Sequence, residues 1–594
     1  MEILERINKN SMKNKEETFT RLYRYLLRPD IYYIAYKNLY ANNGAATKGI
    51  DNDTADGFSE TKITEIITAL KNETYQPKAV RRIYIEKTNS KKKRPLGIPT
   101  FTDKLVQEAL RMILEAVYEP VFSDCSHGFR PNKSCHTALK TIQHGFNGSR
   151  WFIEGDIKSC FDSFNHETLI ILVAQKIKDA RIIKLLYKFL KAGYMQDWQY
   201  HKTYSGTPQG GIISPLLANI YLHQLDNYIS KTLIPKFNHP AERKFTQQYS
   251  TIRNQLHKIK RYIKKSSGTE RQNYIKEYKQ TRAMLLKTPS KSQTDKKIKY
   301  VRFADDFLLG ICGSQTDCVM IKSKLSEFIH NILKMELSSE KTLITHSSQQ
   351  ARFLGYNIRV RRDSTIRPGG ENHCTKRTLM NMVELSVPLL DKVQPFILSR
   401  GIAKMKNSVL IPVLRRALMD STDLEILSTY NAELRGICNF YGCAGNFHRL
   451  CYFAYLMEYS CLKTLAAKHR SSIGKIKDKY RNGKNGWGIP YETKTGIKRM
   501  YFAKFRDCKN TETFSDVETN AFMMYNSSVT TFESRLKAKV CELCNTSSCG
   551  HFELHHINKV KNLKGKDFWE RVMIAKRRKT LVLCKECHYM VHHQ

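Results

Sequence analysis

The sequence predicts a multidomain α/β protein, on three observations. Its 594 residues exceed what one hydrophobic core usually organises. Strand-like apolar runs alternate with amphipathic helical stretches over roughly the first 370 residues. A short C-terminal region gathers cysteines and histidines at metal-binding spacing. Composition adds a partner: 99 Lys and Arg against 55 Asp and Glu leave a formal charge of +44. Repulsion on that scale disfavours compaction unless a polyanion neutralises it, so nucleic acid is expected, ahead of an acidic membrane surface. Residues 1–17 lack the apolar core of an export signal, and no apolar run approaches the ~20 residues that span a bilayer. The expectation is a soluble protein that is not secreted and keeps its 16 cysteines in a reducing compartment.

Residues 16 to about 75 read as amphipathic helices carrying Leu22, Tyr25, Leu26, Tyr32, Ile34 and Ala35, punctuated by Asn42-Asn43-Gly44. From Arg81 the texture changes. Arg82–Glu86 reads as a strand, residues 87–94 as a polar, basic turn, and Leu96–Pro99 as a second strand. Leu105–Tyr118 reads as a helix with Leu105, Ala109, Ile113 and Ala116 on one face. Between about 236 and 299 the chain is hydrophilic and basic but rich in helix formers. It reads as a helical insertion between two parts of one catalytic domain, with a solvated loop as the alternative. Residues from about 375 to 480 return to a helical pattern, 481–535 are loop-rich, and 536–594 hold the Cys/His cluster.

The strongest local signal is Tyr300-Val301-Arg302-Phe303-Ala304-Asp305-Asp306-Phe307-Leu308-Leu309-Gly310, which reads as strand, tight turn, strand. Two carboxylates at a hairpin tip repel one another by about 4 kcal/mol at ~4 Å and an effective dielectric near 20. A divalent cation removes that cost, and oxygen-only ligands suit Mg²⁺. A second segment, Trp151-Phe152-Ile153-Glu154-Gly155-Asp156-Ile157, is an apolar strand ending in a carboxylate. Nucleotidyl transfer uses two metals, one at the attacking oxygen and one at the triphosphate. Asp156 would bridge them from the neighbouring strand, and Asp305 and Asp306 would complete the set.

Several runs carry a family resemblance: Arg94-Pro95-Leu96-Gly97-Ile98-Pro99, Gly128-Phe129-Arg130-Pro131, Asp156 to Phe161, residues 206–219 (GTPQGGIISPLLAN) and Phe303-Ala304-Asp305-Asp306. Together, and in this order, they resemble the reverse transcriptases encoded by group II introns, from about residue 20 to the C-terminus. Phe303 departs from the family's usual Tyr but keeps an aromatic ring. The resemblance implies a right-hand polymerase, with fingers and palm over 76–370 after an N-terminal helical extension over 1–75. It further implies an α-helical thumb or maturase domain over 371–480 that binds intron RNA and promotes splicing, then a DNA-binding segment over 481–535. By the same resemblance Phe161 lies under the incoming sugar and rejects a 2′-hydroxyl, and Lys87 and Arg94 hold the triphosphate. Ile157 and Gln209 line the nucleotide site, and Lys341 lies near the leaving pyrophosphate, although a plain surface lysine remains open there. Phe353-Leu354-Gly355-Tyr356 resembles the hairpin that grips the primer.

In the C-terminal region, Cys541-x-x-Cys544 and Cys584-x-x-Cys587 have the spacing of a tetrahedral Zn²⁺ site. Zinc can supply roughly 10–16 kcal/mol to a module of this size, which is too small to rest on its core alone. Glu553-Leu554-His555-His556 and His588-x-x-x-His592 interleave with the cysteines, the last two one helical turn apart. This region, 536–594, resembles a ββα-metal H-N-H nuclease. The resemblance makes His556 the general base and His555, His588 and His592 the ligands of a divalent metal, with Mg²⁺ the expected ion as at the polymerase site. The middle Asn of the pattern is absent; Arg577-Arg578-Lys579-Thr580 stands there, suited to DNA phosphate. Taken together the expectation is an intron-encoded polymerase that works as a ribonucleoprotein, nicks target DNA and extends the nick with dNTPs. It would reside in a bacterial cytoplasm, near the nucleoid, or in an organelle of bacterial descent. A splicing cofactor with a disused polymerase is the rival reading, against which the intact carboxylate triad speaks.

Overall fold

Continuous apolar runs build the central sheet. The computed structural model describes residues 2–42, 44–86, 93–197, 199–207, 210–239, 245–291, 296–362, 365–369, 374–377, 381–482, 486–493, 496–509, 531–557 and 559–593. Strands Lys297–Phe303, Asp306–Cys312, Trp151–Asp156 and Leu343–His346 lie side by side in that order, all antiparallel. Ile153, Tyr300, Phe307, Leu309 and Ile311 face one hydrophobic core, while Phe152, Val301 and Leu308 face a second. Both faces are therefore covered, as the continuous apolar runs require. A second four-stranded sheet joins Val80–Glu86 and Lys93–Ile98 to the short strands Tyr194–Gln196 and Gln199–His201. The helix after it, Phe101–Tyr118, starts on a Thr100 cap that accepts from the Asp103 amide. It is buried on nearly every face, further than the one-sided pattern read from the sequence.

The basic insertion is helical. Gln247–Lys265 and Gly268–Lys287 pack against each other, with Tyr262 stacked on Tyr274 at 5.4 Å between ring centroids. Its base is closed by the bridges His239–Lys296 and Phe245–Lys291. Downstream, Asp423–Phe440 and Cys451–Lys468 form the helical centre of the second core. Asp423 ties their ends together, accepting from Lys468 at 2.8 Å and Tyr480 at 2.5 Å. The helical reading of this region omitted two sheet elements, the Ala403–Lys406/Val409–Pro412 hairpin and strand Val383–Ser386.

Residues 481–535, read as loop-rich, instead hold a β-hairpin, Gly488–Thr493 with Gly496–Tyr501. The Asn431 side chain reaches it from the neighbouring helix, donating to the Tyr501 carbonyl at 2.8 Å and accepting from the Ala503 amide at 2.8 Å. Trp487, just before the hairpin, belongs to the core: it is 7% exposed, and its Nε1 donates to Glu458 at 2.9 Å.

The C-terminal module sits on the N-terminal segment, which contributes a strand to it. Its sheet runs Phe58–Ser59, Phe552–His556, Thr580–Cys584, with Phe58 opposite Leu554. Tyr36 stacks on Phe58 at 4.1 Å and meets Phe532 edge-on at 5.2 Å, so the two ends share one aromatic cluster. Nothing local in the sequence announced this pairing. No helix among the described residues is long and apolar enough to cross a membrane.

One buried ion pair locks the hairpin 297–312 to its surroundings. Arg302 is fully buried, and all five of its N–H donors are used. Two bonds, at 2.8 and 2.7 Å, go to Asp226; the others go to Asn219, Ser126 and the Ala304 carbonyl. Arg302→Ala leaves Asp226 buried without its cation, so unfolding in urea is expected to show a loss of about 3–5 kcal/mol. A loss below about 1 kcal/mol would show that the pair is not what organises this region.

Candidate functional site

The hairpin Lys297–Phe303/Asp306–Cys312 turns through Ala304 in a left-handed conformation (φ 55°) and delivers Asp305 and Asp306 at its tip. The register sets Asp156 directly opposite Asp306. Glycines make this tight arrangement possible. A Cβ on Gly128 would stand 2.3 Å from the Ala304 nitrogen, and one on Gly155 would enter the Phe307 ring at 2.1 Å. Burial raises the Asp305 carboxyl, and the charge of Asp156 adds to that. Burial, then Asp305 and Asp156, push Asp306 up to about 7. Lys341, the lysine for which a plain surface role stayed open, donates to Asp156 Oδ2 at 2.8 Å. Lys341 and Arg94 are the cations whose charge opposes the rise at Asp305. Asp305 and Asp306 resist ionisation beside Asp156, and a group with oxygen as its donor atoms suits hard divalent cations.

Phe161 is half-buried, edge-on to Phe129 at 6.3 Å and to Phe164 at 6.1 Å. Its backbone carbonyl accepts from the Thr207 amide at 2.7 Å. Gly206 (φ 80°) packs so closely on Asp162 that a Cβ there would lie 2.6 Å from the Asp162 Cα. The 206–207 loop thus fixes the segment that carries Phe161. Ile157 is buried, its side chain part of the core. Lys87 and Gln209, along with residues 510–530 of the expected DNA-binding segment, lie outside the described residues. Phe353 and Tyr356 lie on paired strands, and Tyr356 donates to the Phe440 carbonyl on the helical region that follows.

At the C-terminal end the sulfurs of Cys541, Cys544, Cys584 and Cys587 lie within 4.8 Å of one another. The Cys544–Cys584 separation of 3.8 Å matches the edge of a tetrahedron with metal–sulfur bonds of about 2.3 Å. Burial raises the Cys541 thiol, but backbone N–H groups of Cys544, Cys584 and Leu543 lower it to about 7, favouring the thiolate a metal needs.

A second cluster joins His555, His588 and His592 with Asp56, their ligand atoms again within 4.8 Å of one another. The three histidines were expected; Asp56 was not. Glu553, also unassigned by the sequence, accepts from His588 Nδ1 at 2.5 Å, so Nε2 is the nitrogen turned to the cluster. Burial disfavours the charged His588 ring, but hydrogen bonds to Asp56 and Glu553 outweigh it and push the group up to about 9. His556, the expected base, is not in the cluster. Its Nε2 donates to the Tyr40 carbonyl at 3.0 Å, and burial lowers its basicity.

The carboxylate cluster carries a pH signature. Because Asp306 is raised from near 4 to about 7, the stability of its protonated form is fully present below about 4 and lost as pH rises through about 7. Asp306→Asn is therefore expected to raise the thermal midpoint without added Mg²⁺ at pH 8, and by much less at pH 5. An equal difference at both values would mean the carboxylates are not strained.

Three family models match the chain: Reverse transcriptase (RNA-dependent DNA polymerase) over residues 85–250, Type II intron maturase over 380–540, and AI2M/AI1M-like, HNH endonuclease over 541–588. The Group II intron-encoded protein LtrA of Lactococcus lactis subsp. cremoris is 59% identical over 596 residues, spanning 100% of this chain and 99% of the relative. The Putative COX1/OXI3 intron 1 protein of Saccharomyces cerevisiae is 31% identical over 601 residues, 98% of this chain and 70% of the relative. An Uncharacterized 91 kDa protein in cob intron of Schizosaccharomyces pombe is 35% identical over 582 residues, 96% and 69%. With its carboxylate-tipped hairpin, its Cys₄ cluster and full-length likeness to LtrA, the chain belongs to the group II intron-encoded proteins that combine reverse transcriptase, maturase and H-N-H endonuclease domains.

Proposed function

We propose that this reverse transcriptase works by target-primed synthesis: its nuclease nicks target DNA, and its polymerase extends the nick with dNTPs on the intron RNA. The observation that carries this is the register that pairs Asp156 with Asp306 beside Asp305 and the Lys341 ammonium. These three carboxylates would hold two Mg²⁺ ions, which supply activation of the primer 3′-hydroxyl and neutralise charge on the triphosphate. Arg94 and Lys341 steer the triphosphate and leaving pyrophosphate by charge. Lys87, Ile157 and Gln209 take the nucleotide roles the resemblance gives them. Phe161, propped by Phe129 and Phe164, excludes the 2′-hydroxyl.

We assign the chain as a right hand: helical extension 1–75, fingers and palm 76–370 with the basic insertion about 236–299, thumb and maturase 371–480. Residues 481–535 would serve DNA binding, and 536–594 a zinc-stapled ββα nuclease. Intron RNA binding follows from the maturase domain, and the protein would act as a ribonucleoprotein in a bacterial cytoplasm. Cys541, Cys544, Cys584 and Cys587 would hold a structural Zn²⁺. His555, His588 and His592 would hold the nuclease metal, and His556 would take the proton of the attacking water once released from Tyr40.

Primer extension on an RNA template with Mg²⁺ tests the polymerase. Asp305→Ala is expected to abolish dNTP extension while duplex nicking continues, and Phe161→Ala to raise rNTP use about ten- to hundredfold. Extension surviving in Asp305→Ala would overturn the metal assignment. Elemental analysis of the full chain should find one zinc per molecule, lost in Cys584→Ser along with thermal stability of the C-terminal module.

A further inference from the structure

Asp56 lies 500 residues from the histidines it touches, yet it is held among them as firmly as they are held themselves. Its Oδ1 accepts from the His556 amide at 2.7 Å and from His588 Nε2 at 3.2 Å, and stands 3.1 Å from His555 Nδ1. Its Oδ2 lies 2.7 Å from His592 Nε2, and His588 and His592 bring their Nε2 atoms to 3.2 Å. Four donors at metal–ligand lengths of about 2.1 Å stand roughly 3.4 Å apart at the corners of a tetrahedron; the separations here, 2.7–3.2 Å from one or other Asp56 oxygen and 3.2 Å between His588 and His592, are somewhat shorter. His555 is 97% buried and offers a nitrogen to this centre rather than to solvent; its relative exposure is 3%.

The backbone around Asp56 is set by several independent contacts. The Ala55 carbonyl accepts from the Tyr36 hydroxyl at 3.0 Å, and the Gly57 amide donates to the Leu554 carbonyl at 3.0 Å. Gly57 takes φ 76°, a conformation that favours glycine, just before the chain enters strand Phe58–Ser59. Asp56 is therefore presented by strand pairing, not by a free surface loop. The expected base is held from a different element, the end of helix Pro29–Tyr40, whose Tyr40 carbonyl accepts from His556.

We propose that Asp56 is a fourth ligand of the nuclease metal, supplied by the N-terminal segment, and that it closes the nuclease centre; this rests on the nuclease centre proposed above. Catalytic metal sites keep one position open for water or substrate, whereas four protein ligands fill a tetrahedral site. A scissile phosphate brings the same chemistry as Asp56, an anionic oxygen that seeks the metal and a backbone N–H. Carboxylate and phosphate compete for one place, so cutting requires segment 53–59 to withdraw Asp56, a movement that also frees the His556 backbone amide.

The test titrates Co²⁺ into the zinc-loaded full chain carrying Asp305→Ala and Asp306→Ala, which silence the polymerase site, and follows visible absorption. Adding Asp56→Asn is expected to weaken Co²⁺ binding about ten- to hundredfold and to dim the tetrahedral band, while Asp56→His, which keeps a ligand, retains both. Unchanged zinc content shows that the C-terminal module is folded. At saturating metal Asp56→Asn should nick duplex DNA faster than the parent; equal or slower nicking overturns closure. Parent-like Co²⁺ binding in Asp56→Asn, with binding lost in His588→Ala, overturns the Asp56 ligand and leaves the nuclease centre standing. Parent-like binding in His588→Ala overturns the centre itself, and this proposal with it.

Discussion

The polymerase centre depends on a charge that never meets substrate. Arg302 lies two residues before the turn of the carboxylate hairpin, wholly out of water, with each of its N–H groups committed. Desolvating a guanidinium and a carboxylate costs several kcal/mol each, so the Arg302–Asp226 pair is not an efficient source of net stability. What it supplies is position. Asn219 and Asp226 come from the helix Ser214–Asn227, Ser126 from the segment before Gly128, and the Ala304 carbonyl from the turn itself. Tyr300 adds its hydroxyl to Asp226 at 2.8 Å. Three stretches of chain are thereby brought to one point, and the strained left-handed Ala304 is held where Asp305 and Asp306 need it.

Much of this centre was legible in the sequence because it is local. Strand, turn and strand around Asp305 and Asp306, and the strand leading to Asp156, are written in short apolar runs broken by the acids, and the strands pair in that register. The cysteine pairs were legible for the same reason, since two short spacings bring four sulfurs together once one sheet forms. Illegible features were those whose partner lies far away. Arg302 reads as an ordinary strand residue until Asp226 is placed, and Trp487 as an exposed aromatic until Glu458 is. The hairpin 488–501 hides in a Gly-, Lys- and Thr-rich stretch whose pairing draws on the Asn431 amide rather than on its own apolar pattern. Asp56 belongs to the same class: one acid in a polar run, given meaning by a strand 500 residues away.

The two ends of the chain meet because each is incomplete. Residues 552–556 and 580–584 make only a two-stranded sheet by themselves, and Phe58–Ser59 covers one of its edges. The aromatic cluster of Tyr36, Tyr40, Phe58 and Phe532 then removes apolar area from both partners at once. Nuclease and polymerase consequently share a continuous hydrophobic core instead of hanging on a linker, with Phe552, Leu554 and Leu581 counted in the same cluster as Leu105 and Ile153.

That shared strand has a consequence for how the molecule is made. Residues 56–59 leave the ribosome long before their partners 552–556, which follow about 500 residues later. At roughly 5–20 residues per second the interval is about 25–100 s. Throughout it, strand Phe58–Ser59 has no sheet partner and Tyr36 lacks Phe532, although Phe58 already packs on Tyr36. The nuclease sheet therefore cannot close its edge until both of its distant segments have been made.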